Sequence, residues 1–135
     1  MSSGGRHGAR RLLLQALYQH QIAGHDSAEL RLQFDDAGEF AAADGVYFHL
    51  LLDEILDAID ALDRRIDALA DRPIAQIDPV ERAILWIGMA ELESHPDVPV
   101  KVVINEAVEI AKEFGAQDSY RYINAILDKA SGELR

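Results

Sequence analysis

The sequence predicts an all-α fold, a single helical bundle of about six or seven helices arranged in two subdomains. Three observations carry that expectation. Apolar residues recur every three or four positions over long stretches, the period of a helix with one buried face. No segment alternates with period two over a useful length, so strands have no support. Helix punctuation, including Gly24, Arg72-Pro73 and Asp78-Pro79, falls between the periodic stretches. At 135 residues the chain is long enough for one domain with a true core.

Met1–Gly5 has small residues and no apolar anchor, and is expected to be a disordered tail. The helical domain then covers residues 6–135, with an N-terminal subdomain at about 6–72 and a C-terminal one at about 73–135. A first helix is expected over Ala9–Ala23, burying Leu13, Leu14, Leu17 and Tyr18, with Gly24 ending it. Ser27 is placed to cap a shorter second helix reaching Asp36. Ala37–Ala43 contains Gly38 and reads as a loop. Asp44 opens a long helix through Tyr47, Phe48, Leu51, Ile55, Ile59, Leu62, Ile66 and Leu69. Arg72-Pro73 stops it, because proline disfavours helical backbone in the residue before it. Asp78-Pro79-Val80-Glu81 is a start signal, with Asp78 as N-cap, Pro79 at the first position and Glu81 placed for a capping box. That helix carries Ile84, Leu85, Ile87 and Leu92 and stops before His95-Pro96. Pro99 suits the first turn of the next, whose apolar face is Val100, Val103, Ile104, Ala107, Val108, Ala111 and Phe114. Gly115 sits where a left-handed C-cap belongs, and Asp118 can cap a last helix with the stripe Ile123, Leu127, Ala130 and Leu134.

The chain has no cysteine, which excludes disulfides and thiolate chemistry. No apolar run approaches the roughly 20 residues that span a bilayer, and no targeting signal is visible, so a cytoplasmic protein is expected. Net charge is −11, which taken in bulk argues against nucleic acid. The distribution changes that reading. Residues 1–25 hold Arg6, Arg10 and Arg11 and no acid, giving +3, while the remainder holds 10 bases and 24 acids, giving −14. Such asymmetry points to a local anion-binding arm on an acidic body that suits a basic protein partner. From the charge alone, a frayed tail carrying a few arginines is an equal alternative.

No constellation supports an enzyme. Asp53, Asp57, Asp60, Asp63 and Asp67 recur at helical spacing, but Arg64 and Arg65 interleave with them, and oxygen-ligand cation sites usually draw on loops or several facing elements. A solvated helix face is the reading, and no metal is assigned. Glu91 and His95 stand four apart without a second ligand pair. There is no Gly-x-Ser-x-Gly elbow and no Gly-rich phosphate loop, and no cofactor is expected. What remains is a binding function. Arg6, His7, Arg10 and Arg11 sit at the mouth of the first helix, and arginine both pairs with phosphate and stacks on bases. Tyr18, Phe114 and Tyr122 are candidate stacking partners, although spacing alone does not bring them together, and a core role for Tyr18 and Phe114 is the simpler reading. Asn105 and Asn124 are read as solvent-facing.

One stretch carries more than periodicity. Val98-Pro99-Val100-Lys101-Val102-Val103-Ile104-Asn105-Glu106-Ala107 and Phe114-Gly115-Ala116-Gln117-Asp118-Ser119 closely resemble the C-terminal signature of the NusB family. The resemblance extends through Ala9-Arg10, Gln15-Ala16-Leu17-Tyr18, Tyr47-Phe48, Leu51, Val80-Glu81-Arg82-Ala83-Ile84-Leu85 and Glu91-Leu92, covering essentially the whole chain after Gly5. It implies a helical bundle in two halves and a bacterial transcription antitermination factor. Members of the family pair with the small-subunit ribosomal protein that doubles as NusE. The pair binds boxA RNA of ribosomal RNA leader transcripts and joins the RNA polymerase antitermination complex. Carried over residue by residue, the resemblance places Arg6, His7, Arg10 and Arg11 on RNA, with Tyr18, Phe114, Asp118 and Tyr122 near the RNA-facing surface. The partner interface is expected away from the arginine arm and near Glu81.

Two departures from the family pattern are visible. His7 and Gly8 interrupt the arginine arm, and Trp86 stands where many members have arginine, so weaker RNA binding by the chain alone is expected. The alternative function is a NusB-like RNA-binding or dimerisation module without an antitermination role, including a homodimer that buries the arginine arm. NusB-like domains also precede some RNA cytosine-5 methyltransferases, but the 135 residues leave no room for a methyl-donor domain. The sequence leaves monomer and homodimer open.

Overall fold

The structure, a computed structural model, describes residues 4–135, and the disordered-tail expectation for residues 1–3 lies outside the described residues. The helices are α1 (Gly5–Ala23), α2 (Ser27–Asp35), α3 (Gly45–Asp57), α4 (Ile59–Leu69), α5 (Pro79–Ser94), α6 (Val100–Phe114) and α7 (Ser119–Leu134), with short 3-10 turns at Gly38–Ala42 and Ile74–Gln76. The all-α expectation holds: among the described residues the only extended pairing is one isolated bridge between Gly5 and Ala43.

The chain divides into two compact units, Met1–Asp57 and Ala58–Arg135. The expected long helix over 44–69 is in fact two helices, broken at Ala58 (φ −123°, ψ 16°), and the division falls there instead of at Arg72-Pro73. The two halves serve different cores. Tyr47, Phe48, Leu51, Leu52 and Ile55 are buried in the first unit, and Leu62 and Ile66 in the second.

In the first unit, α1 begins four residues earlier than expected. Gly4 is its N-cap, and Gly5 opens it at φ 60°, a left-handed conformation that glycine adopts freely. The Gly5 carbonyl accepts the Asp44 N–H at 2.9 Å, and Gly8 N–H donates to the Gly4 carbonyl at 3.0 Å. Gly4 and Gly5 are therefore ordered, against the tail expectation. Leu12, Leu13, Leu14 and Leu17 fill the core with Leu30, Phe34 and Phe48, and the two phenylalanine rings lie 5.9 Å apart. Gly24 closes α1 at φ 74°, as expected. The cap of α2 is Asp26, not Ser27: its carboxylate accepts the Glu29 N–H at 2.9 Å while Glu29 accepts the Asp26 N–H at 3.0 Å.

Ser27 instead donates its hydroxyl to Asp53 at 2.8 Å, and Arg31 pairs with the same carboxylate. Burial pushes the Asp53 carboxyl up, but the Ser27 hydroxyl and the Arg31 guanidinium, with His49 nearby, more than offset it and leave it below its ordinary value. A depressed carboxylate stabilises the fold above its unfolded pKa, and that contribution is lost as pH falls through the folded value. Asp53→Asn is therefore expected to flatten the fall in melting temperature below about pH 4. An acid limb identical to wild type in a pH series of thermal melts would remove this role.

In the second unit, Asp78 caps α5 with Pro79 in the first turn, as expected, accepting the Glu81 N–H at 2.9 Å. Pro99 is the N-cap residue of α6, one position before the first turn. Of the acidic series, Asp57 and Asp60 are solvated. Asp63 pairs with Arg82, and Asp67 accepts the Ile74 N–H at 3.2 Å. Arg135 ties the last turn of α5 to the segment after it: its guanidinium donates to Glu91 O (3.0 Å), Leu92 O (2.9 Å), His95 O (2.9 Å) and Val98 O (2.7 Å). Arg135→Ala is expected to cost about 1.5–3 kcal/mol in urea denaturation. Arg135→Lys should recover little, since a point charge cannot span four acceptors.

Candidate nucleic-acid interface

Because α1 starts at Gly5, Arg6, His7, Arg10 and Arg11 all lie in its first two turns. Helical spacing sorts them onto two lines. Arg6 and Arg10 face α3, where their guanidinium carbons lie 4.2 and 5.6 Å from the centroid of the Tyr47 ring. His7, Arg11 and Tyr18 fall on the neighbouring line, and Tyr18 is 42% exposed, against the core reading of this residue. The four basic residues are not equivalent. Arg6 keeps 45% of its side chain exposed, with Asp44 at 3.9 Å, whereas Arg11 keeps 16% and is paired with Glu39 at 2.9 Å. Arg10 is 4% exposed, so it is a buried prop against Tyr47 and not a free phosphate ligand. The expected anion-binding arm is thus the first two turns of α1, partly neutralised by acids of its own unit.

The second group of expected residues gathers where α7 begins. Gly115 does not adopt the expected left-handed cap; it is extended at φ −87°, ψ 173°. Its constraint is space: a Cβ there would lie 2.8 Å from the Ala111 carbonyl oxygen and 3.1 Å from Ser119 Cβ. The left-handed residue is Asp118, at φ 72°, the one non-glycine with positive φ among the described residues. Its side chain makes no cap hydrogen bond to α7 and stands 3.6 Å from Arg121 Nε. Capping is therefore not its role. Asp118→Ala is expected to cost about 1 kcal/mol through the left-handed conformation, and Asp118→Asn to melt like wild type, since asparagine tolerates that region.

Glu81 is 5% exposed. It does not complete a capping box; Oε2 accepts the Ser119 hydroxyl at 2.9 Å and Oε1 lies 3.9 Å from the Arg72 guanidinium. The same guanidinium covers the Tyr122 ring at 3.9 Å. Burial raises the Tyr122 hydroxyl pKa, with the charges of Asp71 and Glu81 adding and Arg72 opposing. So the residue expected at a protein interface, Glu81, is an internal strut that Ser119 and Arg72 share, and it connects to Tyr122 through Arg72. Phe114 is half-buried at the end of α6, and Asn105 and Asn124 are exposed. Trp86 is 1% exposed and donates its indole N–H to Asp63 at 2.8 Å, so it replaces no surface charge.

Sequence reasoning missed the roles of Tyr47 and Arg72. Tyr47 registered only as an apolar helix position and Arg72 only as a stop before proline; the signal overlooked was a tyrosine in the first turn after the Asp44 cap, whose carboxylate accepts the Tyr47 N–H at 3.0 Å. In each unit the groups brought together are cations and aromatic rings, suited to phosphate and base contacts. No helix among the described residues is long and apolar enough to cross a membrane.

Comparison with known proteins gives a consistent answer. The model of the NusB family matches residues 7–131. The transcription antitermination protein NusB of Alcanivorax borkumensis is 45% identical over 130 residues, 96% of this chain and 87% of that protein. The protein of the same name from Nitrosomonas eutropha is 41% identical, over 94% of this chain and 76% of that one. A solved structure of T. maritima NusB superposes with a TM-score of 0.79 at 26% identity, covering 95% of this chain and 91% of that one.

Proposed function

The chain belongs to the NusB family and is a transcription antitermination protein; on that premise we propose that it binds boxA RNA of ribosomal RNA leader transcripts together with the ribosomal protein NusE, within the antitermination complex of RNA polymerase. It acts in the cytoplasm by binding, not by catalysis. The observation supporting the RNA reading is the face of α1 that carries His7, Arg11 and the exposed Tyr18 beside Arg6, in a segment whose first 25 residues hold no acid. Arg6 and Arg11 meet phosphate, Tyr18 offers a stacking ring, and Arg10 holds the helix start against Tyr47. Phe114, Asp118 and Tyr122 add contacts, with Glu81 acting indirectly through Ser119 and Arg72. The charge of −14 outside the first 25 residues suits the basic NusE partner.

Titration of a boxA-like oligonucleotide at several salt concentrations, with and without NusE, tests this. Arg6→Ala with Arg11→Ala is expected to weaken binding and to lower the log affinity versus log salt slope by about 1.4, since each phosphate of a single strand that is no longer neutralised removes about 0.7. NusE and RNA should tighten one another by the same factor. A double variant with the wild-type slope would reject the α1 site, and RNA affinity untouched by NusE would reject the coupled complex.

A further inference from the structure

Resting on the RNA-binding reading above, we propose that a second stretch of single-stranded RNA runs along α6 and the start of α7, held by Lys101, Lys112, Tyr120 and Arg121. The first observation is a stripe. Lys101, Asn105 and Lys112 stand at helical spacing on one line of α6, and all three are exposed. Glu106 and Glu113 are rotated by about 100° or more from the centre of that line, while Glu109 stands about 60° from it, four residues after Asn105 and three before Lys112. Residues 58–135 hold 15 acids against 9 bases, and both lysines of α6 fall on this one line. Lys101 and Lys112 are separated by about 16 Å along the axis, a span that several extended nucleotides cover.

The second observation is where the stripe ends. Lys112 Nζ lies 5.0 Å from the centroid of the Tyr120 ring. Arg121 sits at the hydroxyl end of the same ring: its Nε donates to the Tyr120 oxygen at 3.2 Å, and its guanidinium carbon is 5.6 Å from the centroid. Asp118, 3.6 Å from Arg121 Nε, is the carboxylate beside this group. A half-buried tyrosine ring flanked by two cations on long side chains is the combination that binds single strands without regard to sequence: a base stacks on the ring and the cations take the adjoining phosphates. An acidic protein segment would use the lysines but would have no need of the ring, which favours RNA.

Fluorescence anisotropy on the full chain separates the possibilities, using a short boxA-like RNA and the same RNA extended by a single-stranded flank. Tyr120→Leu is expected to weaken binding of the extended RNA about tenfold and to leave the short one unchanged. Tyr120→Phe keeps the ring and should bind both like wild type. Lys112→Gln with Arg121→Gln, both on the surface, should lower the salt slope of the extended RNA by about 1.4, which keeps the proposal falsifiable even where Tyr120→Leu fails to fold. Arg6→Ala should weaken both RNAs. Wild-type binding of extended RNA by the Lys112/Arg121 variant, while Arg6→Ala is impaired, overturns the second stretch and leaves the proposed function standing. Loss of NusE affinity in that variant with RNA affinity intact also overturns it, in favour of a protein partner. A wild-type chain that binds neither RNA overturns both.

Discussion

Trp86→Ala is expected to lower the folding free energy by about 3–5 kcal/mol, the largest single-residue loss in the molecule. Trp86 is 1% exposed on α5, a helix in which every residue from Ala83 to Leu92 is buried. Removing the indole opens a cavity that the surrounding helices fill only in part. It also leaves Asp63 without the N–H that reaches it at 2.8 Å and takes from Arg82 the ring that lies 4.7 Å beneath its guanidinium. Trp86→Phe separates these contributions. It keeps most of the packing and removes only the donor, so a cost of about 1–3 kcal/mol is expected. Both variants should bind RNA like wild type per folded molecule, because Trp86 has no surface to offer. Urea denaturation of the two proteins measures this, and a loss under about 1 kcal/mol for Trp86→Ala would reject the core role.

Trp86 illustrates what was legible in the sequence and what was not. The family resemblance marked the position as a missing positive charge, yet no local feature could say that α5 is buried from Ala83 to Leu92. Elements governed by neighbours in sequence were readable: Asp44 at a helix start, Asp78 as a cap, Pro79 in a first turn, Gly24 at a helix end. These depend on hydrogen bonds and steric limits that reach three or four residues. The break at Ala58 was not readable. Ile55, Ile59 and Leu62 continue the helical period across it without glycine or proline, while the helices on its two sides serve different cores.

The site divides along the same line. Helical spacing placed His7, Arg11 and Tyr18 in register once the start of α1 was known. The burial of Arg10 depends on Tyr47, 37 residues on, and that of Glu81 depends on Ser119, 38 residues on. A charged residue in a motif says which chemistry is available. Whether it meets solvent or braces a neighbour is decided by partners that local pattern does not reach.

Gly115 gives the second large expected effect, and its reason differs from the one a C-terminal glycine usually suggests. Had it been a left-handed cap, asparagine would serve almost as well and alanine would cost about 1 kcal/mol. Its backbone is extended, however, so φ imposes nothing; the limit is the 2.8 Å from a built Cβ to the Ala111 carbonyl oxygen, with Ser119 Cβ at 3.1 Å. The nearest atom belongs to the backbone of α6 and cannot rotate away, so any side chain must push α6 and the start of α7 apart. Gly115→Ala is expected to cost about 1–3 kcal/mol, Gly115→Asn at least as much, and Gly115→Val more. Gly24 is the control, since it is left-handed at φ 74° with nothing within 4 Å of a built Cβ, so Gly24→Asn should be nearly silent. The functional consequence follows from geometry: moving Ser119 weakens its 2.9 Å bond to Glu81 and with it the support for Arg72 and Tyr122. Gly115→Ala should therefore lose RNA affinity under conditions where it is still fully folded. Thermal melts of the four variants decide the steric argument: if Gly115→Asn melts with wild type, the close approach is not what holds glycine at this position.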